Sequence, residues 1–203
     1  MNWLDLIEQT QHCQRNWDLD KSLDQETIDW LFDVGYTMPT KQNLSSFQIV
    51  AFTDRTAIEN LTKNAVDKKW GKGRHVKNPQ MLAPVVFAFF ENHDKDERKR
   101  SQEIRSGNHT TMVEIGIAAG AMALAANSIG LRTGYCKCFY PLESGKDKKN
   151  KLARLLKNYK IKGTDIGLAL GVGYPVEGLP SNVSNDKVEH GQFEKKLRHK
   201  III

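Results

Sequence analysis

The stretch HCQRNWD, His12 to Asp18, sets an imidazole, a thiol and a guanidinium within four positions, with Gln11 ahead of them and Trp17 behind. Three chemistries use such groups. A zinc site needs three or four ligands in reach and normally adds paired spacings such as C-x-x-C, whereas Cys136 and Cys138 are separated by a single residue. A nucleophilic Cys13 would need His12 as its base, but adjacent side chains diverge. The third chemistry is an anion cradle, which asks only for donors grouped at a chain turn: imidazole, guanidinium, thiol and backbone N–H. His12 and Arg15 would supply its charge. On this segment alone, a surface turn with a solvated arginine accounts for the residues equally well.

Elements must hold these groups in place. Apolar Trp3, Leu4 and Ile7 predict a first helix of about three turns that leads into HCQRNWD. Ser22 followed by Gln25 is a capping-box pattern ahead of Ile28, Leu31 and Phe32, so a second helix should run to Gly35 and stop before Pro39. FQIVAFTD (Phe47 to Asp54) reads as a buried strand, and TAIENLTKNAVDKK as a helix with Ile58, Leu61 and Ala65 on one face. APVVFAFF (Ala83 to Phe90) is a second core strand, entered through Pro84 where a proline is tolerated. A charged helical segment around DERKRSQEIRS leads into an Ala-rich helix ending at Gly130. LRTGYCKC is a third strand, KNKLARLLKN a short helix and TDIGLALGVGYP a fourth strand. The stretch from Val176 to Ile203 is polar up to its last three isoleucines, and is either disordered or draped over a second subunit.

The segment from Met112 to Ser128 is apolar on nearly all sides, so it must be surrounded by protein. Gly116 and Gly120, four apart, would let another backbone approach closely. A homodimer interface is the expectation, and an unusually central core helix the alternative. Glu114 and Asn127 interrupt the apolar run, and its bulk is Ala and Gly, so insertion into a membrane would be poorly driven. No membrane partner is expected.

A chain of 203 residues suits one ordinary domain with extensions. With 39% hydrophobic and 27% charged residues it reads as soluble and globular, which excludes a disordered chain. A net charge of +6 suits an anionic partner: nucleic acid, a membrane surface or a phosphorylated small molecule. Runs such as KDKKNK would serve a nucleic-acid-binding module, yet no strand combines aromatic and basic residues in the way that stacks bases, so nucleic acid is the lesser reading. Three cysteines, an odd number, and an opening without the pattern of a secretory signal point to the reducing cytoplasm.

Placed in order, these segments resemble the nitroreductase family of FMN-dependent, NAD(P)H-oxidising flavoproteins. Members open with a helix and a basic R-x-S-x-R/K-x-F type segment, matched by QHCQRNWD. A helix ending in P-S-x-x-N-x-Q-P-W/F and a strand follow, matched by PTKQNLSSFQIV. Later come an Ala/Gly-rich helix ending in G-L-x-T, matched by EIGIAAGAMALAANSIGLRTG, and a strand ending in G-Y-P, matched by LALGVGYP. Lys196 and Arg198 match a K/R-x-R near the C-terminus. Each motif is weak alone; their order over most of the chain is specific.

The resemblance implies an α+β fold, a central, mostly antiparallel sheet flanked by helices, forming one domain over residues 1–203 and a homodimer with FMN in two sites at its interface. Residues 176–203 would be a C-terminal extension packed on the partner subunit. Gln11, His12, Cys13 and Arg15 would line the FMN, and Lys196 and Arg198 would help neutralise its phosphate. Pro39, Thr40, Lys41 and Asn43 look like the loop that members present from the opposite subunit, with Lys137 and Cys138 near the reactive edge of the ring. No side chain is expected to act as acid or base, and no metal. The implied activity is ping-pong: NADH or NADPH is oxidised, then a nitroaromatic, quinone or related electrophile is reduced. A relative reducing free flavin or dehalogenating its substrate is the alternative, and Lys69 to Pro79 would then be the lid, or otherwise an exposed basic loop. Departures are Gln11 in place of a common Arg, Cys13 in place of Ser and Ser46 in place of Pro; Lys77 and Asn78 are candidates for the basic or amide residue ahead of the second core strand.

Overall fold

The computed structural model describes residues 2–43, 45–65, 78–91, 109–137, 156–158 and 166–190. Helix α1, Trp3–Gln9, opens on a capping box in which Asn2 accepts from the Asp5 N–H and Asp5 accepts from the Asn2 N–H. It has seven residues, short of the three turns expected, because past Thr10 the chain leaves the helix to bond with a strand. Helix α2, Gln25–Thr37, is capped by Asp24, not by Ser22: the Asp24 carboxylate accepts from the Thr27 N–H at 2.7 Å. It passes Gly35 and stops at Met38, whose extended backbone is what a following proline imposes.

Strand β1, Phe47–Phe52, ends before Asp54, which instead caps helix α3, Arg55–Ala65, by accepting from the Ala57 N–H at 2.7 Å. A 3₁₀ turn, Pro79–Leu82, precedes strand β2, Val85–Glu91. Helix α4, His109–Ser128, is followed by β3, Arg132–Cys136, and later by β4, Ile166–Gly173. The expected DERKRSQEIRS helix lies outside the described residues, as does most of KNKLARLLKN, of which Leu156–Asn158 form a helical turn.

The sheet runs β1-β2-β4-β3, and every described pair is antiparallel. As an inner strand, β2 is buried on both faces, which is why its sequence is a continuous apolar run. Val86, Ala88 and Phe90 join a cluster with Trp17, Ile58, Leu61 and Met81. Val85, Phe87 and Phe89 join the opposite cluster with Ile28 and Leu31 of α2 and Ile115, Ala119 and Met122 of α4. Period-two alternation thus divides one strand between two cores.

Residues Thr110–Ser128 are long and apolar enough to cross a membrane by length and composition, and half of that span is buried inside the protein. Ala118, Ala119, Met122, Ala123 and Ala126 face the core, whereas Val113 and Ile117 are 61% and 41% exposed. A Cβ built on Gly116 or Gly120 would meet nothing within 4 Å. On α1, Trp3 and Leu4 are likewise exposed.

Candidate functional site

Beyond Thr10 the chain runs beside β3. The Gln14 N–H donates to the Thr133 carbonyl at 2.9 Å. Cys13 Sγ accepts from the Tyr135 N–H at 3.3 Å and donates to the Tyr135 carbonyl at 3.7 Å. Burial alternates along this segment: Gln14 and Asn16 are buried, Gln11, Cys13 and Arg15 are half-buried, and His12 is exposed. The Arg15 N–H donates to the Ser181 carbonyl at 3.0 Å, and Nη1 turns back onto the Cys13 carbonyl at 3.1 Å.

Three buried residues that the spacing of HCQRNWD did not single out hold this segment. Asn16 Nδ2 donates to the carbonyls of Pro180 and Val183, while its Oδ1 accepts from the Val176 N–H and from Gln14 Nε2. Trp17 Nε1 donates to the Pro79 carbonyl at 3.0 Å, and its backbone exchanges two bonds with the Asn185 side chain. Residues 176–190 are therefore tied to their own chain's 14–17 stretch. The signal lay in polar residues alternating with Cys and Arg: a buried amide needs partners.

A second group arrives through the 3₁₀ turn. Gly134 and Gly171 are cross-strand partners. A Cβ on Gly171 would sit 2.1 Å from the Gln80 carbonyl oxygen, and one on Gly134 would sit 2.5 Å from Gln80 Cβ. The bare glycine pair lets the turn lie directly on the sheet. Gln80 is only 8% exposed. Its Nε2 lies 3.4 Å from both the Asn78 side-chain oxygen and the Tyr135 carbonyl, while its Oε1 has no hydrogen-bond partner among the described residues. Burying an amide oxygen without a partner is unfavourable by about 1–3 kcal/mol, so such a group points to a ligand that completes it. Gln80 brings its side chain to the backbone that Cys13 contacts, with the buried Asn78 side chain beside it; Lys77 lies outside the described residues.

The loop after α2 forms a third group. Pro39, Lys41 and Asn43 are exposed and Thr40 is half-buried; Asn43 has φ +59°, a left-handed conformation that asparagine tolerates. Glu114, buried in α4, accepts the Lys41 N–H at Oε1 (2.9 Å) and the Ser46 hydroxyl at Oε2. Lys137 is exposed just past β3. Cys138, Lys196 and Arg198 lie outside the described residues.

Cys13 and Gln80 thus come together at β3, with Arg15 folded back onto the Cys13 carbonyl, whereas Pro39 to Asn43 lead into β1. Those strands are the two edges of the described sheet, three strand spacings, or about 14 Å, apart. Among the described residues no three His, Cys, Asp or Glu side chains group in a way that would hold a metal.

Burial, with the nearby Cys13 charge adding to it, pushes the Tyr135 phenol from the ordinary 10.0 up to about 12. The folded state therefore keeps this proton after the unfolded chain has lost it. The resulting stabilisation is complete below about pH 10 and disappears as pH rises through about 12. Burial raises the Tyr36 phenol as well, so a tyrosinate absorbance titration should show late phenols of which the one near pH 12 disappears in Tyr135→Phe; an unchanged late phase in that variant would refute the assignment.

The chain belongs to the nitroreductase family, whose model matches residues 9–174. Its fold is that of several solved members. An FMN-bound nitroreductase from Bacteroides fragilis is 13% identical, covers 100% of both chains and has a TM-score of 0.66. A Clostridium acetobutylicum protein provisionally named an NADH oxidase is 18% identical over 96% of this chain and 98% of its own, with a TM-score of 0.62. An FMN-dependent nitroreductase from Clostridium difficile is 14% identical over 91% of this chain and 97% of its own, with a TM-score of 0.61. No curated protein matches the sequence.

Proposed function

We propose that this chain binds FMN between two copies of itself and passes electrons from NADH or NADPH to a nitroaromatic, a quinone or a related electrophile, in two half-reactions of ping-pong order. The observation that carries the reading is the buried Gln80 amide beside the Cys13 and Tyr135 contact, whose oxygen lacks a partner among the described residues. An isoalloxazine presents both N–H donors and carbonyl acceptors along its edge, and an amide can answer either. The family match and the FMN in the Bacteroides fragilis relative support the choice of cofactor. The name of the Clostridium acetobutylicum relative supports a nicotinamide donor.

Gln11, His12, Cys13 and Arg15 would hold the cofactor with Gln80, and Lys196 and Arg198 would meet its phosphate. Bound FMN would supply the two-electron chemistry. Arg15 fixes a positive charge at the site, favouring the cofactor state with more negative charge, so it would tune the potential as well as bind. Cys13 is a weaker donor than the serine common in the family, and its sulfur already engages the Tyr135 backbone. Pro39, Thr40, Lys41 and Asn43 would come from the second copy, because their strand stands at the opposite sheet edge from Cys13. The open faces of Gly116 and Gly120, with exposed Val113, Ile117, Trp3 and Leu4, offer an apolar surface for that pairing. We assign the protein to the cytoplasm, where its thiols stay reduced.

Purified protein should take up FMN, and anaerobic stopped-flow mixing with NADH or NADPH should bleach the flavin. Arg15→Ala should weaken FMN binding about ten- to a hundredfold, the value of a charge-assisted hydrogen bond. Protein that binds no added FMN would sink the reading.

A further inference from the structure

Glu114 is a carboxylate 3% exposed, and between Met112 and Ala126 all the other residues of its helix are apolar or glycine. A buried charged group is tolerated only where hydrogen bonds compensate its lost hydration. Both oxygens meet that need in the same place. Oε1 accepts the Lys41 N–H, Oε2 accepts the Ser46 hydroxyl, and Ser46 is itself 6% exposed. These two contacts bracket the turn Lys41–Asn43, which is closed within itself by the Asn43 N–H on the Thr40 carbonyl. The turn's strained member, Asn43 at φ +59°, lies between them. One side chain in α4 thus fixes both ends of an exposed segment that lacks a long helix or strand of its own.

We propose that Glu114 is a positioning residue of the cofactor site: it holds residues 40–43 and Ser46 in the one shape that presents Thr40, Lys41 and Asn43 to the flavin of the partner copy. The inference rests on the reading given under Proposed function. A preshaped loop does not lose its conformational freedom on binding, so loosening it weakens affinity without touching a contact atom. Lys41 is exposed, so releasing the loop lets water satisfy its N–H; the Ser46 hydroxyl, buried here, reaches water only as the loop opens, and α4 keeps its packing.

The test compares Glu114→Leu, Glu114→Gln and Ser46→Ala with wild type in three measurements: FMN titration, thermal melting and hydrogen exchange of the Lys41 amide. Glu114→Leu should melt within a few degrees of wild type, exchange its Lys41 amide faster and bind FMN about tenfold or more weakly. Glu114→Gln keeps one acceptor and should fall between the two. Should Glu114→Leu fail to fold, Ser46→Ala carries the test, with the same direction and a smaller effect. Wild-type affinity in Glu114→Leu, or an affinity loss that merely follows the loss of stability in all three variants, overturns the inference. Wild-type protein that binds no FMN would instead overturn the proposed function, and the Lys41 exchange result would still report on the loop.

Discussion

Replacing Asn16 with leucine is expected to destabilise the protein by about 3–5 kcal/mol, a large share of the roughly 5–15 kcal/mol that holds a typical domain together. The side chain is 0% exposed and has four partners: the Pro180 and Val183 carbonyls, the Val176 N–H and Gln14 Nε2. Leucine has nearly the same volume, so the cost comes from stranded polar groups and not from a cavity. The Gln14 amide is buried and the three backbone bonds are part-buried, so each group loses its partner where water reaches it only in part. The loss should appear as a lower urea midpoint; under the proposed function FMN affinity falls too, because the segment carrying Cys13 and Arg15 loses its attachment to residues 176–183. An unchanged midpoint would mean that water already satisfies these groups.

The second large effect is expected from Gly171→Ala, a single methyl group. Its Cβ would stand 2.1 Å from the Gln80 carbonyl oxygen and 3.1 Å from Ala83 Cβ. The nearer obstacle is backbone, which cannot swing aside as a side chain would, so the whole Pro79–Leu82 turn must lift from the sheet. Overpacking of this kind costs about 1–3 kcal/mol, and rigid neighbours place it at the upper end. Gly35→Ala is the comparison: its Cβ would meet Ile49 Cδ1 at 2.7 Å and Met122 Sδ at 2.8 Å, the far ends of adjustable side chains, and should be milder. Gly171→Ala should also weaken FMN binding beyond what its melting temperature accounts for, because Gln80 moves with the turn. Equal stability losses in the two variants would refute the account.

How legible each part was depended on the distance in sequence between partners. The two faces of β2 could be read from its own residues, since alternation is local, and the apolar Ala-rich stretch announced a long protected helix. Motifs in chain order were enough to indicate the family. The start of α2 was misplaced by two residues, because Ser22 and Asp24 are both good caps and only the backbone path selects between them. Gln80 escaped notice, and Glu114 was read only as an interruption of the apolar run, for a stronger reason. Glu114 acts on Lys41 from 73 positions away, and Gln80 reaches the Tyr135 carbonyl from 55.

By itself, then, the amino-acid order determined the alternation of strands and helices and the kinds of donor available to bind an anion, and the family resemblance of its ordered motifs implied the α+β class. Tertiary structure alone decided that Gly134 and Gly171 open a bare patch for Gln80, that Asn16 binds the segment bearing Cys13 and Arg15 to residues 176–183, and that the Pro39–Asn43 loop belongs to the far edge of the sheet. Local pattern follows from backbone periodicity, which every residue carries within itself. Pairing across the sheet follows from which surfaces close on one another, and no residue carries that information alone.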